Sequence, residues 1–166
     1  MWAVEVVDVA VNHRLDRYGI EPRDVDGLDG IVAAPFLHVG FGHLLANTVP
    51  FAVMGAVIAL EGARRLILVT VIVALVSGFG TWLVAAEGTT HVGASGVVFG
   101  YATYLMARGL FNRNGTELAV GALVLLIWGG ALVGGLEPQR GISWQGHLFG
   151  AIGGVVAARA LARERP

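Results

Sequence analysis

The chain has 166 residues, a mean hydropathy of +0.71, 55% apolar and 14% charged residues, which is too greasy and too poor in charge for a soluble domain of this size. A net charge of −1, eleven basic residues that are all Arg, and the lack of a basic block argue against nucleic acid as a partner. The absence of cysteine removes a disulfide framework, a thiolate zinc site and a cysteine nucleophile, so the composition reads as a single polytopic membrane domain over 1–166 whose partners are the lipid bilayer and other proteins.

In chain order, residues 2–12 are apolar enough for half a membrane span but carry Glu5 and Asp8; they are expected to form the outer half of a first helix that is short or truncated. Residues 13–36, with Asp16, Glu21, Asp24, Asp26, Asp29 and two prolines, are expected to be an external loop that folds against the bilayer surface. Five apolar runs follow at about 41–61, 66–86, 94–111, 117–135 and 143–161, near the ~20 residues needed to cross ~30 Å of hydrocarbon. The expected fold is all-α, a bundle of membrane helices.

Short cytoplasmic loops carry an excess of positive charge. Arg64, Arg65, Arg108, Arg113, Arg159, Arg163 and Arg165 fall on one side of an alternating topology, with Glu61, Glu117 and Glu164. The polar loop and its companions on the other side hold more carboxylates than arginines. The C-terminus is therefore expected in the cytoplasm and the loop outside, at the plasma membrane. With that polarity the second, fourth and sixth spans all run inward. His43, Ser95 and His147 then lie within about two turns of one surface at ~1.5 Å rise per residue.

Polar groups in hydrocarbon are expensive and mark function. A serine hydroxyl needs a base to become nucleophilic, and neutral imidazole is the usual one near pH 7; Ser95 and His147 supply such a pair. Glu87 and Glu137 fall in loops, which leaves no carboxylate at that depth and makes the expected constellation a dyad. His43 and Asn47, four apart, share one helix face. They and the backbone N–H of Ser95, at the N-terminal end of its helix, are candidate oxyanion donors. Several of the 25 glycines cluster around Ser95 and His147, among them Gly93, Gly96, Gly146 and Gly150, where helices without side chains at the contact approach closely. A polar cavity opening outward is expected, since water must reach the site.

The motifs His43-Leu44-Leu45-Ala46-Asn47, Gly93-Ala94-Ser95-Gly96 and Gly146-His147-Leu148-Phe149-Gly150, in this order and on these spans, resemble those of the rhomboid intramembrane serine proteases, and the resemblance covers nearly the whole chain. It implies the six-helix rhomboid fold, with Ser95 as nucleophile, His147 as base, and His43, Asn47 and the Ser95 amide as oxyanion donors. It also implies a supporting role for Phe99, as a ring packed against the base, and for Gly150, as the point where two helices touch. The implied reaction is hydrolysis of a peptide bond in or beside a transmembrane helix of a substrate protein, with no cofactor and no metal. Two departures stand out. The loop lacks the Trp-Arg pair of many relatives, Pro22-Arg23 not being its equivalent, and Gly146 stands where relatives commonly have Ala.

Two other functions are weighed. A catalytically silent rhomboid-like protein that binds membrane clients would lack Ser or His at the dyad, and both are present. A transporter or metal protein using His43, His91 and His147 lacks a His-Glu-x-x-His motif, an intramembrane carboxylate relay and an inverted repeat. A soluble hydrolase with a nucleophile elbow is excluded, because Gly-x-Ser-x-Gly is absent and Ser95 opens a membrane span rather than following a strand. His13, His38 and His91 read as loop or rim histidines, and the Asp-rich stretch as a solvated face. The sequence assigns no oligomeric state.

Overall fold

The computed structural model describes residues 1–139 and 141–162, and every regular element among them is helical. Arg163, Glu164 and Arg165, used above for orientation, lie outside the described residues. The chain forms α1 (Trp2–Ala10), a loop with the one-turn helix α2 (Gly30–Ala33), and then α3 (Phe41–Ala59), α4 (Ala63–Val84), α5 (Ser95–Asn112), α6 (Gly115–Gly135) and α7 (Trp144–Ala160). Of these, α3, α4 and α6 are long and apolar enough to cross a membrane. Their outward faces are apolar too: Val49 and Val53 on α3, Ile67 and Leu75 on α4, and Leu126 on α6, which is 82% exposed. Such a surface suits lipid and not water.

Helix α5 is the axis of the bundle. It touches α3, α4, α6 and α7 and supplies Val97, Val98, Tyr101, Ala102, Tyr104 and Leu105 to the core, against Met54 and Ile58 of α3, Val69 and Val73 of α4, Val124 of α6 and Ala157 of α7. Small residues let the backbones meet. A Cβ placed on Gly150 would stand 2.1 Å from the Gly96 carbonyl oxygen, and one on Gly154 would stand 2.1 Å from that of Gly100. Thr103 donates across the same seam to the Ala151 carbonyl at 2.8 Å. On the α4 side a Cβ at Gly96 would lie 2.2 Å from Ser77 Oγ, and one at Gly80 would lie 2.0 Å from the Phe149 ring. Without a water-driven hydrophobic force between helices, this backbone-level fit and the hydrogen bonds crossing it carry the association.

At the end of the bundle away from Ser95, the termini are tied by charge. Glu61, just after α3, pairs with Arg108 of α5 and with Arg65 of α4, and Arg65 donates to the Leu161 carbonyl past the end of α7. Asn114 caps α6 by accepting from the Glu117 N–H at 3.0 Å.

The loop between α1 and α3 is anchored on the bundle. It docks on protein: Ile20, Ile31 and Ala34 form a small core with Leu28 and Trp82. Its apolar stretch Gly30–Phe36 is the reason, since a Cβ on Gly78 would meet Ile31 Cγ2 at 2.5 Å, which seats α2 about 9 Å below the end of α4. Arg23 fixes the outer part, donating to Glu87 Oε1 at 2.8 Å and to the Leu83 carbonyl at 3.0 Å. Asp24, Asp26 and Asp29 are exposed.

Candidate active site

Three segments deliver the candidate residues to one place. The chain enters α5 through a short ladder in which Ile20 and His91 exchange both backbone hydrogen bonds, at 2.9 and 3.0 Å. Gly93 then turns at φ +119, a conformation that L side chains rarely adopt, and its N–H donates to the Ala34 carbonyl at 2.8 Å. The Ala94 N–H points at His38 Nε2, 3.4 Å away. This clamp sets Ser95 as the first residue of α5, where its own N–H has no intrahelical acceptor.

His147 lies in the first turn of α7. Ser143 caps that helix, accepting from the Gly146 N–H at 3.3 Å, and its hydroxyl meets His91 Nδ1 at 2.8 Å. Ser77 of α4 donates to the Gly146 carbonyl at 2.8 Å. The imidazole is thus fixed from both sides of its own turn. His147 Nδ1 lies 2.7 Å from the Gly135 carbonyl at the end of α6, and Nε2 lies 2.8 Å from Ser95 Oγ. A carbonyl only accepts, so Nδ1 carries the proton and Nε2 presents a lone pair to the serine hydroxyl. Phe99, one turn below Ser95, stacks on the imidazole at 4.1 Å between centroids and 7° between planes.

A cavity of about 340 Å³ opens in front of this pair, lined by His43, Asn47 and Pro50 of α3, Trp128 and Leu132 of α6 and the segment 141–143, with Ser95 and His147 at its wall. His43 reaches it by lying over Gly93, where a Cβ would come within 2.7 Å of the ring. Asn47 is buried and spends one amide N–H on the His43 carbonyl at 3.0 Å, which leaves the other. Ser95, His147, His43, Asn47, Phe99, Gly93, Gly96 and Gly150 therefore converge on one site. His43, His91 and His147 do not form a metal-ligand group; among the described residues the grouping of that kind is Asp8, His13 and Asp16, at the start of the loop.

Sequence reasoning missed three participants. The Gly135 carbonyl takes the place that a carboxylate holds in a triad, and a main-chain oxygen has no residue type to announce it. His38, read as a rim histidine, is 1% exposed; burial and the neighbouring His43 push it down to about 4. His91, likewise read as a loop residue, joins the two turns that carry Ser95 and His147, and burial pushes it below its ordinary value. The place of His38, just ahead of a predicted span and five residues before His43 inside it, was the signal available for the first.

The Rhomboid domain family matches residues 27–164. The chain is 43% identical to uncharacterized protein Rv1337 of Mycobacterium tuberculosis over 169 residues, covering 97% of this chain and 70% of that protein. It is 30% identical to the putative rhomboid protease YdcA of Bacillus subtilis over 127 residues, covering 75% of this chain and 62% of the relative. To the rhomboid protease GluP of the same organism it is 30% identical over 132 residues, covering 75% of this chain and 24% of that longer protein. With the helical bundle, its three membrane-crossing candidates and a family match over most of its length, the chain is an integral membrane protein and belongs to the rhomboid family.

Proposed function

We propose that this protein is an intramembrane serine endopeptidase that hydrolyses peptide bonds in or next to transmembrane segments of other membrane proteins. The observation that carries this reading is the 2.8 Å contact between Ser95 Oγ and His147 Nε2 at the wall of a cavity faced by hydrogen-bond donors. The names of two relatives, a rhomboid protease and a putative one, support it. In this reading residues 1–166 are one rhomboid-like domain and α3 to α7 are five crossings. The distribution of Arg supports a cytoplasmic C-terminus and a site opening to the external face of the plasma membrane.

The chemistry follows from the geometry. Ser95 Oγ attacks the scissile carbonyl carbon as its proton passes to His147 Nε2, and the Gly135 carbonyl stabilises the imidazolium through Nδ1–H. The carbonyl π pair moves to oxygen, where the Ser95 N–H, the His43 ring and the free Asn47 N–H stand ready to donate. His147 then gives its proton to the leaving amine as the C–N bond breaks, leaving an acyl ester on Ser95. Water entering the cavity reverses the sequence, giving its proton to His147 and releasing the new carboxyl end.

The test is labelling of the reconstituted protein by a fluorophosphonate probe. Wild type labels, whereas Ser95→Ala and His147→Ala lose labelling by a factor on the order of 10⁴ or more. A folded wild type that stays unlabelled overturns the protease reading in favour of client binding.

A further inference from the structure

Glu5, on α1, is 1% exposed, and neither of its carboxyl oxygens has a hydrogen-bond partner among the described residues. The other acid of that helix, Asp8, is satisfied: it accepts from the Leu15 N–H at 2.7 Å and meets His13 Nδ1 at 3.2 Å. A buried carboxyl without a partner is costly to the fold and calls for a reason.

The reason lies across the α1–α3 contact. The Trp2 indole donates to Thr48 Oγ1 at 3.1 Å, and its ring lies 6.2 Å from that of Phe41. These two contacts bracket the turn of α3 that bears His43. Glu5 follows Trp2 by three residues, on the same face of α1. Glu5 lies near enough to His43 on one side and to Asp16 on the other for a charge on one to act on the next. His38, at 5.2 Å between ring centroids, is the further titratable neighbour of His43 on the loop side, and His147 faces it across the cavity. No hydrogen bond to either His43 ring nitrogen is present among the described residues.

We propose that Glu5 is a positioning residue for His43: through one water its carboxyl engages the near ring nitrogen, so that the far nitrogen carries an N–H into the cavity. An uncompensated charge is costly at this buried site, so the pair is net neutral and holds two protons: one on the far nitrogen and one toward the near nitrogen, written either on the carboxyl or on the ring. In both forms the far nitrogen is a donor, which an oxyanion needs and which an unrestrained neutral imidazole offers only in one of its two tautomers. This deepens the reading of His43 as an oxyanion donor and rests on it. It also brings in the acid that the spans carrying Ser95 and His147 lack, acting on the oxyanion side and not on the base.

The experiment combines two readouts on wild type, Glu5→Gln and Glu5→Asp in nanodiscs, each with and without His43→Ala. The first is the ring ¹⁵N spectrum of histidine-labelled protein, with His43 assigned by its loss in His43→Ala. Wild type shows one His43 tautomer pattern, Glu5→Gln shows a mixture, and the His147 signals stay put. The second is cleavage of a membrane-anchored reporter. Glu5→Gln lowers it about tenfold, short of the roughly 10² to 10³ that a missing oxyanion donor costs; Glu5→Asp recovers part, and Glu5→Gln adds no further loss to His43→Ala. Unchanged His43 signals in folded Glu5→Gln, or an equal loss with and without His43, overturn the proposal. The ring spectrum does not depend on turnover, so a wild type that cleaves nothing overturns the protease reading while the spectrum still decides the Glu5 contact.

Discussion

The two walls of the candidate site are built differently. On one side, α5 and α7 meet backbone to backbone, with Gly150 against the Gly96 carbonyl and Gly154 against that of Gly100, and they hold Ser95 and His147. On the other, α3 and α6 face the cavity with side chains, and α6 keeps an exposed apolar face while its Gly130 and Gly134 look onto open space. The difference teaches a division of labour. Ser95 and His147, the proposed dyad, sit where no side chain can slacken, and the wall that a substrate helix would meet in that reading is the one with room.

The sharpest way to break this contrast is Gly150→Ala. Its Cβ has nowhere to go but into the Gly96 carbonyl, so α7 moves away from α5. Overpacking of this kind costs about 1–3 kcal/mol, and a displacement near 1 Å between reacting groups costs about 10²-fold in rate; thermal unfolding and reporter cleavage read the two. Acid loosens the loop that clamps the Gly93–Ser95 turn. His38 falls from an ordinary 6.5 to about 4 in the fold, so the unfolded chain takes up a proton that the native one refuses. The sign follows: stability is full above pH 6.5 and declines as pH falls toward 4, by up to about 3 kcal/mol. His38→Gln flattens that slope in unfolding measured across pH. Phe99→Leu removes the stacked ring from His147 and lowers cleavage by roughly 2- to 10-fold, in line with about 0.5–1.5 kcal/mol for a ring pair. Smallest of all is Gly130→Ala on the roomy wall. It is expected to leave cleavage unchanged and stability the same or higher by less than about 1 kcal/mol, the opposite of the same substitution at Gly150.

What the sequence made legible tracks what side chains can announce. Ser95, His147, His43 and Asn47 stand out because polar groups are rare in apolar runs, and Gly96 with Gly150 because glycines beside such groups imply close approach. The family follows from those motifs in order. The docked loop was harder to read: its acids suggested solvent, yet Ile31 and its neighbours found a groove that exists only because residue 78 is glycine. Glu5 was read as a blemish in a half span and is fully buried, because α1 lies against α3. That contact is tertiary, and the face of α1 that it buries is the acidic one, Glu5 with Asp8 three residues on, the reverse of the usual apolar-inward pattern. Gly146 is a milder case. A Cβ there would sit 3.0 Å from Ser143 Oγ and 3.4 Å from Thr81 Oγ1, close enough that an alanine must nudge the α7 cap without entering a backbone.

The acceptor for His147 Nδ1 is the carbonyl of Gly135, and this gives the site an unusual kind of durability. A peptide oxygen is encoded by every codon alike and gains no proton in mild acid, so neither missense change nor pH deletes it. Substitution at 135 acts by intrusion instead, since a Cβ there would meet the Phe99 ring at 2.5 Å. The acceptor leaves the imidazole when the end of α6 swings away. The helix on the roomy wall thereby holds the latch of His147 on the tight one, and a visitor that pushes α6 aside too far sets that imidazole loose.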